Sequence, residues 1–172
     1  MKYKITFINQ IKQLIGVIIG IPIAGVIIYI YYQRVGDFSA ATTIGLTYFS
    51  VVYFITIFIH CEYYALNKGK IVFINAEKNT VWFKENEPVS FENIEKITIS
   101  MTQLKFYSGN IWVLPSDPYH YAIIKYDGNK EFIFTSLMAS DVESVMKQIK
   151  GVPLERKLRP IPSPMLSKLF GW

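Results

Sequence analysis

Only a few side chains in this chain are of the types that do chemistry. His60–Cys61–Glu62 is a run of possible metal ligands, or a thiol beside a base. His120 lies in the alternating stretch "YHYAII", and Asp117, Asp127 and Asp141 are scattered around it. Metal binding and nucleophilic catalysis need such groups to converge from suitably spaced positions. Three adjacent residues at a helix end seldom converge on one ion, and no matching cluster occurs elsewhere. His120 alternates as a strand residue would. Each Asp stands where a turn or a helix cap accounts for it. There is no Gly-rich phosphate loop. The residues therefore predict no catalytic group, no metal, no cofactor and no small-molecule substrate.

What remains are candidate contact surfaces. Gly16, Gly20 and Ala24 recur every four residues in "GVIIGIPIAG", a small-residue face that lets two helix backbones approach closely. Its counterpart is either the second helix of the same chain or a helix of an oligomer or membrane partner. Pro22 lies within this stretch, where it should kink the helix or release a carbonyl. Lys68, Lys70, Lys78 and Lys84 cluster early in the polar part of the chain, interrupted by Glu77, Glu85 and Glu87. They form a possible lipid-headgroup site, or simply a solvated face. The tail "ERKLRPIPSPMLSKLFGW" joins Arg156, Lys157, Arg159 and Lys168 to Phe170 and Trp172. A merely disordered tail should carry fewer apolar and aromatic groups. It can pack back onto the protein, lie on the inner leaflet of a membrane, or dock on a partner protein. Pro160, Pro162 and Pro164 argue against helix here and for an extended segment.

The elements that carry these residues follow from charge and periodicity. Residues 13–33 and 38–61 contain no charged side chain. At about 1.5 Å per residue each run makes a helix of roughly 30 to 36 Å, the thickness of a bilayer's hydrocarbon core. "RVGD" between them is long enough only for an antiparallel hairpin. Lys2, Lys4 and Lys12 before the hairpin, and Lys68 and Lys70 after it, outweigh Arg34 in the turn. The positive-inside tendency then places both termini in the cytoplasm. A single cysteine excludes an internal disulfide and fits a reducing compartment. The abundance of Ile, Lys, Asn and Tyr fits a bacterial source and thus an inner-membrane, two-pass protein.

From Glu62 onward the pattern turns to strands: "EYYALNKG", "KIVFINAE", "NTVWFKE", "PVSF", "ENIEKITISM" and the hairpin "YHYAIIKYDGNKEFIFTS", with Asp127-Gly128 as a two-residue turn. Ser140 and Glu143 form a capping box before an apolar stripe of Val142, Val145, Met146 and Ile149, and Gly151 and Pro153 end that helix. The predicted organisation is 1–62 for the N-terminal segment and hairpin, 63–151 for a soluble domain, and 152–172 for a basic, Pro-rich tail. The class is α+β: six or seven antiparallel strands forming a sheet or small barrel, plugged by one helix.

This order resembles the pleckstrin-homology-like (PH-like) domains that follow transmembrane helices in bacterial membrane proteins. "VSFENIEKITIS", with a buried Ile94 between two strands, is similar to their mid-domain segment. "NKEFIFTSLMASDVESVMKQI" is similar to their last strand and helix. The chain departs from them in "TQLKFYSGNIWVLPSDP", where a strand is expected but Gly and Pro break the run. The resemblance implies a non-enzymatic interaction module, an accessory or scaffolding subunit of a cell-envelope complex with a membrane-protein partner or a second copy. The alternative is a sensor that binds membrane lipids through the domain and its basic tail. Residues 63–149 carry nine basic and ten acidic side chains, a balance that argues against nucleic-acid binding.

Overall fold

The computed structural model describes residues 1–83, 87–108, 115–128 and 130–171, without the side chains of 35, 41, 44, 48, 52, 104 and 108. Strand β1 (Lys2–Lys4) leads into helix α1 (Phe7–Val35), capped at its start by Thr6, whose hydroxyl accepts from the Asn9 N–H. Gly36, at φ 73°, ends α1. Asp37 immediately caps α2 (Phe38–Asn67) by accepting from the Ala40 N–H at 3.0 Å. A left-handed residue followed at once by an N-cap is what makes so short a connection possible. Both helices are long and apolar enough to cross a membrane, and only 6% and 13% of their most apolar stretches are buried within the protein. α1 continues as one helix through Pro22, which is exposed.

The hairpin interlocks by small residues facing large ones. A Cβ on Gly20 would meet the Tyr53 hydroxyl, and one on Gly45 would lie 2.6 Å from Ile28 Cγ1. Two residues of opposite helices thus each fill the notch left by a glycine.

The rest of the chain builds two four-stranded sheets. The first has the order β1-β2-β3-β4 and is antiparallel throughout, with β2 (Ile71–Asn75), β3 (Thr80–Phe83) and β4 (Val89–Ser90). The second has the order β7-β6-β5-β8, with β5 (Ile94–Met101), β6 (Tyr121–Tyr126), β7 (Lys130–Thr135) and β8 (Leu154–Leu158). β5, β6 and β7 are antiparallel, and β8 runs parallel to β5. Asp127 and Gly128, at φ 47° and 81°, make the tight turn between β6 and β7 that their types predict. Short helix α3 (Gln103–Ser108) follows β5, and α4 (Val142–Met146) follows β7.

Inward residues of both sheets form one core: Val72, Ile74, Val81 and Phe83 from the first, Ile97, Ile99, Ile124 and Phe134 from the second. Val142, Val145, Met146 and Ile149 close it from the side of α4, and Ile94 is buried at its edge. The stripe read at helical spacing is buried, but α4 ends at Met146 with Lys147 as its C-cap rather than running on to Gly151, so Ile149 joins the core from the turn that follows.

Four further local expectations are corrected. "EYYALN" is the last two turns of α2 rather than a strand, because Tyr63 and Asn67 pack into the sheet from a helix. The cap of α4 is Asp141, whose carboxylate accepts from the Ser144 N–H, rather than Ser140. There are eight described strands, and the eighth is parallel because it returns to β5 after α4. Finally, Pro164 does not prevent a helix. It occupies the first turn of α5 (Pro164–Phe170), where the missing N–H has no intrahelical partner to lose.

Candidate functional site: the junction of hairpin and sheet

At about 1.5 Å per residue α2 is roughly 45 Å long, about 15 Å more than a hydrocarbon core needs. The surplus is spent inside the domain. Ile59 and Tyr63, one turn apart on α2, are fully buried with Tyr119, Tyr121 and Leu137 in a second core on the outer side of the β5–β8 sheet. Tyr63 meets Tyr119 and Tyr121 edge-to-face at 5.5 and 6.1 Å between ring centres, and its hydroxyl donates to the Pro162 carbonyl. His60 Nδ1 and the Tyr119 hydroxyl are hydrogen-bonded at 2.9 Å. Burial pushes the Tyr119 phenol above its ordinary range, so it stays protonated.

One turn further, Asn67 meets the edge of β7. Its Nδ2 donates to the Ile133 carbonyl at 2.7 Å, and its Oδ1 accepts from the Thr135 N–H at 3.2 Å and from the Thr135 hydroxyl. A side-chain amide thus supplies the donor and acceptor that a neighbouring strand would supply. α1 is tied in as well, since Asn9 Nδ2 donates to the carbonyls of Leu137 and Met138. Glu62, the first charge after the apolar run, binds the tail: Oε2 accepts from the Ser163 hydroxyl and Oε1 from the Met165 N–H, both at 2.5 Å.

The residues singled out in the sequence are dispersed around this junction. Gly20 packs on Tyr53 within the hairpin, Ala24 is buried, and Gly16 lies against Pro115 of the polar part of the chain. The small-residue face is thus already occupied within one chain at Gly16 and Gly20. Lys68 and Lys70 precede β2, whereas Lys78 lies in the turn after it, so a strand about 16 Å long separates them. Lys68 and Lys70 lie over the rings of Tyr64 and Phe132. Those three lysines do not converge; Lys84 lies outside the described residues, as does Trp172.

In the tail, Arg156 and Lys157 belong to β8. The Arg156 guanidinium bonds both carboxylate oxygens of Glu143, and Lys147 Nζ lies 2.8 Å from the same carboxylate. Lys157 is exposed, and the Arg159 N–H extends the β8 pairing to the Met101 carbonyl. Lys168 and Phe170 are exposed on α5.

His120 takes a structural position. Its Nε2 accepts from the Val142 N–H at 3.2 Å, which leaves the proton on Nδ1, donated to the Pro118 carbonyl at 2.8 Å. It borders an open cleft of about 370 Å³ with Lys105, Phe106, Glu143, Lys147 and Arg156. Both imidazole nitrogens are engaged, and Glu143 is shared by two cations. Among the described residues no group of three or more His, Cys, Asp or Glu could hold a metal ion.

Sequence reasoning missed Tyr63, Asn67 and Tyr119 as junction residues, and it singled out Glu62 for metal or thiol chemistry rather than for its bonds to the tail. The available signal was that "CEYYALN" continues the α2 register: Ile59, Tyr63 and Asn67 recur at i, i+4 and i+8. Comparison with protein-family models, with curated proteins and with solved structures finds no match to this chain.

Proposed function

We propose that this protein is a two-pass protein of a bacterial inner membrane whose cytoplasmic part is a PH-like interaction module without enzymatic activity. It serves as an accessory or scaffolding subunit of a cell-envelope complex. The observation that carries this reading is the insertion of Ile59, Tyr63 and Asn67 of α2 into the second core and sheet edge. A flexible linker would merely tether a domain; a helix that ends inside the domain fixes its height and angle at the bilayer. Fixed placement is what a subunit needs to meet a membrane neighbour at one orientation. Two packed sheets closed by a helix support the PH-like assignment. The Lys distribution supports the cytoplasmic side.

A second reading, a lipid or membrane-stress sensor acting alone, is favoured by the exposed apolar side chains of α5. The two readings separate by mass. The protein is extracted from its native membrane in mild detergent and its complex is sized by native mass spectrometry. One protein partner at constant stoichiometry is expected for the subunit. A lone chain carrying only phospholipid overturns that reading in favour of the sensor.

A further inference from the structure

The last helix is built inside out. In α5 and its cap, Ser163, Pro164 and Ser167 face inward and are buried, whereas Met165, Leu169 and Phe170 are exposed at 51%, 71% and 58%. A surface helix of a soluble domain turns its apolar stripe to the core and its hydroxyls to water. Here the docked face carries the two serines beside Pro164 and is held by specific bonds. The Ser163 hydroxyl donates to Glu62, the Met165 N–H donates to the same carboxylate, and the Tyr121 hydroxyl donates to Ser167 Oγ at 3.1 Å.

These bonds also fix where the helix sits. Glu62 is the first charged residue after the charge-free run 38–61. Counted from the helix ends at the turn, Val35 and Phe38, Ile11 on α1 is level with it, and Phe7, Ile8 and Ile11 at that end are exposed as well. Apolar side chains on two elements therefore share the level at which the hairpin leaves its apolar span. Charge agrees: residues 150–172 carry five basic and one acidic side chain, with Lys157 and Lys168 exposed.

We propose that α5 is an in-plane membrane anchor whose Met165 and Leu169 enter the headgroup–acyl boundary of the cytoplasmic leaflet, with Lys168 at the anionic headgroups. An amphipathic segment with a basic flank binds such a surface by apolar burial plus attraction to anionic lipid. The helix is bonded to α2 by its polar face, so the leaflet and the transmembrane helix grip it from opposite sides. This inference rests on the membrane-spanning reading of the hairpin.

The test uses the full chain with Cys61→Ser, reconstituted alone into vesicles of zwitterionic and anionic phospholipid. Spin labels are attached at one introduced cysteine at a time: Phe54→Cys on the hairpin, Lys78→Cys on an exposed turn, and Met165→Cys and Leu169→Cys on α5. Collision rates with oxygen, which partitions into lipid, and with a water-soluble nickel chelate are measured. The expected result is that 165 and 169 behave like 54, with nickel collisions several-fold below those at 78 and oxygen collisions above them. Nickel access at 165 and 169 equal to that at 78, while 54 remains in lipid, overturns the anchor. Protection of 165 and 169 from both reagents shows a protein contact and overturns it too. If 54 itself is nickel-accessible, the membrane-spanning reading has failed and the anchor falls with it, a pattern distinct from the other two.

Discussion

Asn67 Oδ1 accepts both the backbone N–H and the hydroxyl of Thr135, so the end of a helix completes the edge of a sheet. An exposed strand edge is a template for unwanted pairing, and proteins cover it by various devices. Here the cover is the C-terminal turn of α2 itself.

Asn67→Ala should therefore leave the Ile133 carbonyl and the buried Thr135 groups unpaired. The expected cost is about 1–3 kcal/mol. At roughly 2–4 °C per kcal/mol for a chain of this size, the melting temperature in detergent should fall measurably by circular dichroism. An unchanged melting temperature would show that the helix end does not hold the sheet.

Gly20→Leu should break the hairpin packing, because the new side chain and Tyr53 claim the same space. Overpacking of this kind costs about 1–3 kcal/mol. Tyr53→Ala in the same chain opens the space again, so the double variant should be more stable than the two single losses added together. Strict additivity in reversible micellar unfolding would contradict the contact.

His120 gives stability a pH dependence. Burial lowers its pKa from 6.5 to about 4. Between those values the unfolded chain binds a proton that the folded chain refuses. The contribution is thus complete above about pH 6.5 and declines as pH falls toward 4, by on the order of 3 kcal/mol. Urea unfolding between pH 7.5 and 4.5 should show this slope, and His120→Asn should flatten it while lowering stability at pH 7.5. A slope that survives in the variant would have to come from His60 or another group.

Glu143 acts at lower pH. The hydrogen bond from Arg156 holds its carboxyl below the usual range, with Lys147 adding to the effect. Its stabilisation is present above the unfolded value and is lost as pH falls through the lowered folded one. Arg156→Ala should move the Glu143 titration upward, followed by carboxyl NMR. At neutral pH it should change stability by under about 1 kcal/mol, since the pair is on the surface.

Orientation can be read at one residue. Lys78 is exposed in the β2–β3 turn. In a Cys61→Ser chain, Lys78→Cys should react with an impermeant maleimide in inverted membrane vesicles and remain unlabelled in intact cells. Labelling in intact cells would reverse the proposed topology.

The parts legible in the sequence were those dictated by local physics. Two charge-free runs with a four-residue connection specify paired apolar helices, and Asp127-Gly128 between β-rich runs specifies a hairpin. The buried stripe of α4 was visible at helical spacing, although the cap shifted by one residue from Ser140 to Asp141. The missed parts depend on partners far away in the chain. "EYYALN" is rich in aromatics that suit a strand, yet packing against Tyr119 and Tyr121 keeps it helical. "KYK" is too short to signal a strand until Ile71–Phe73 lies beside it. "LERKL" has the charge of a solvated tail and becomes β8 only because β5 offers an edge. The Glu62–Ser163 bond joins residues 101 apart, and nothing in either local sequence announces it.

The pairing of β1 with β2 has a consequence for biogenesis. Lys2–Lys4 are made before the hairpin, but their partners Ile71–Phe73 emerge only after residues 5–70, which include the whole hairpin, have been translated. If the hairpin spans a bilayer as proposed, the first sheet can close only when its two ends are on the same side. A chain whose second helix failed to insert back would strand β1 and β2 on opposite faces, with Val72 and Ile74 deprived of their complete sheet. On the membrane-spanning reading, closure of the first sheet thereby doubles as a check on insertion: a hairpin that has crossed twice can pair β1 with β2, and one that has crossed once cannot.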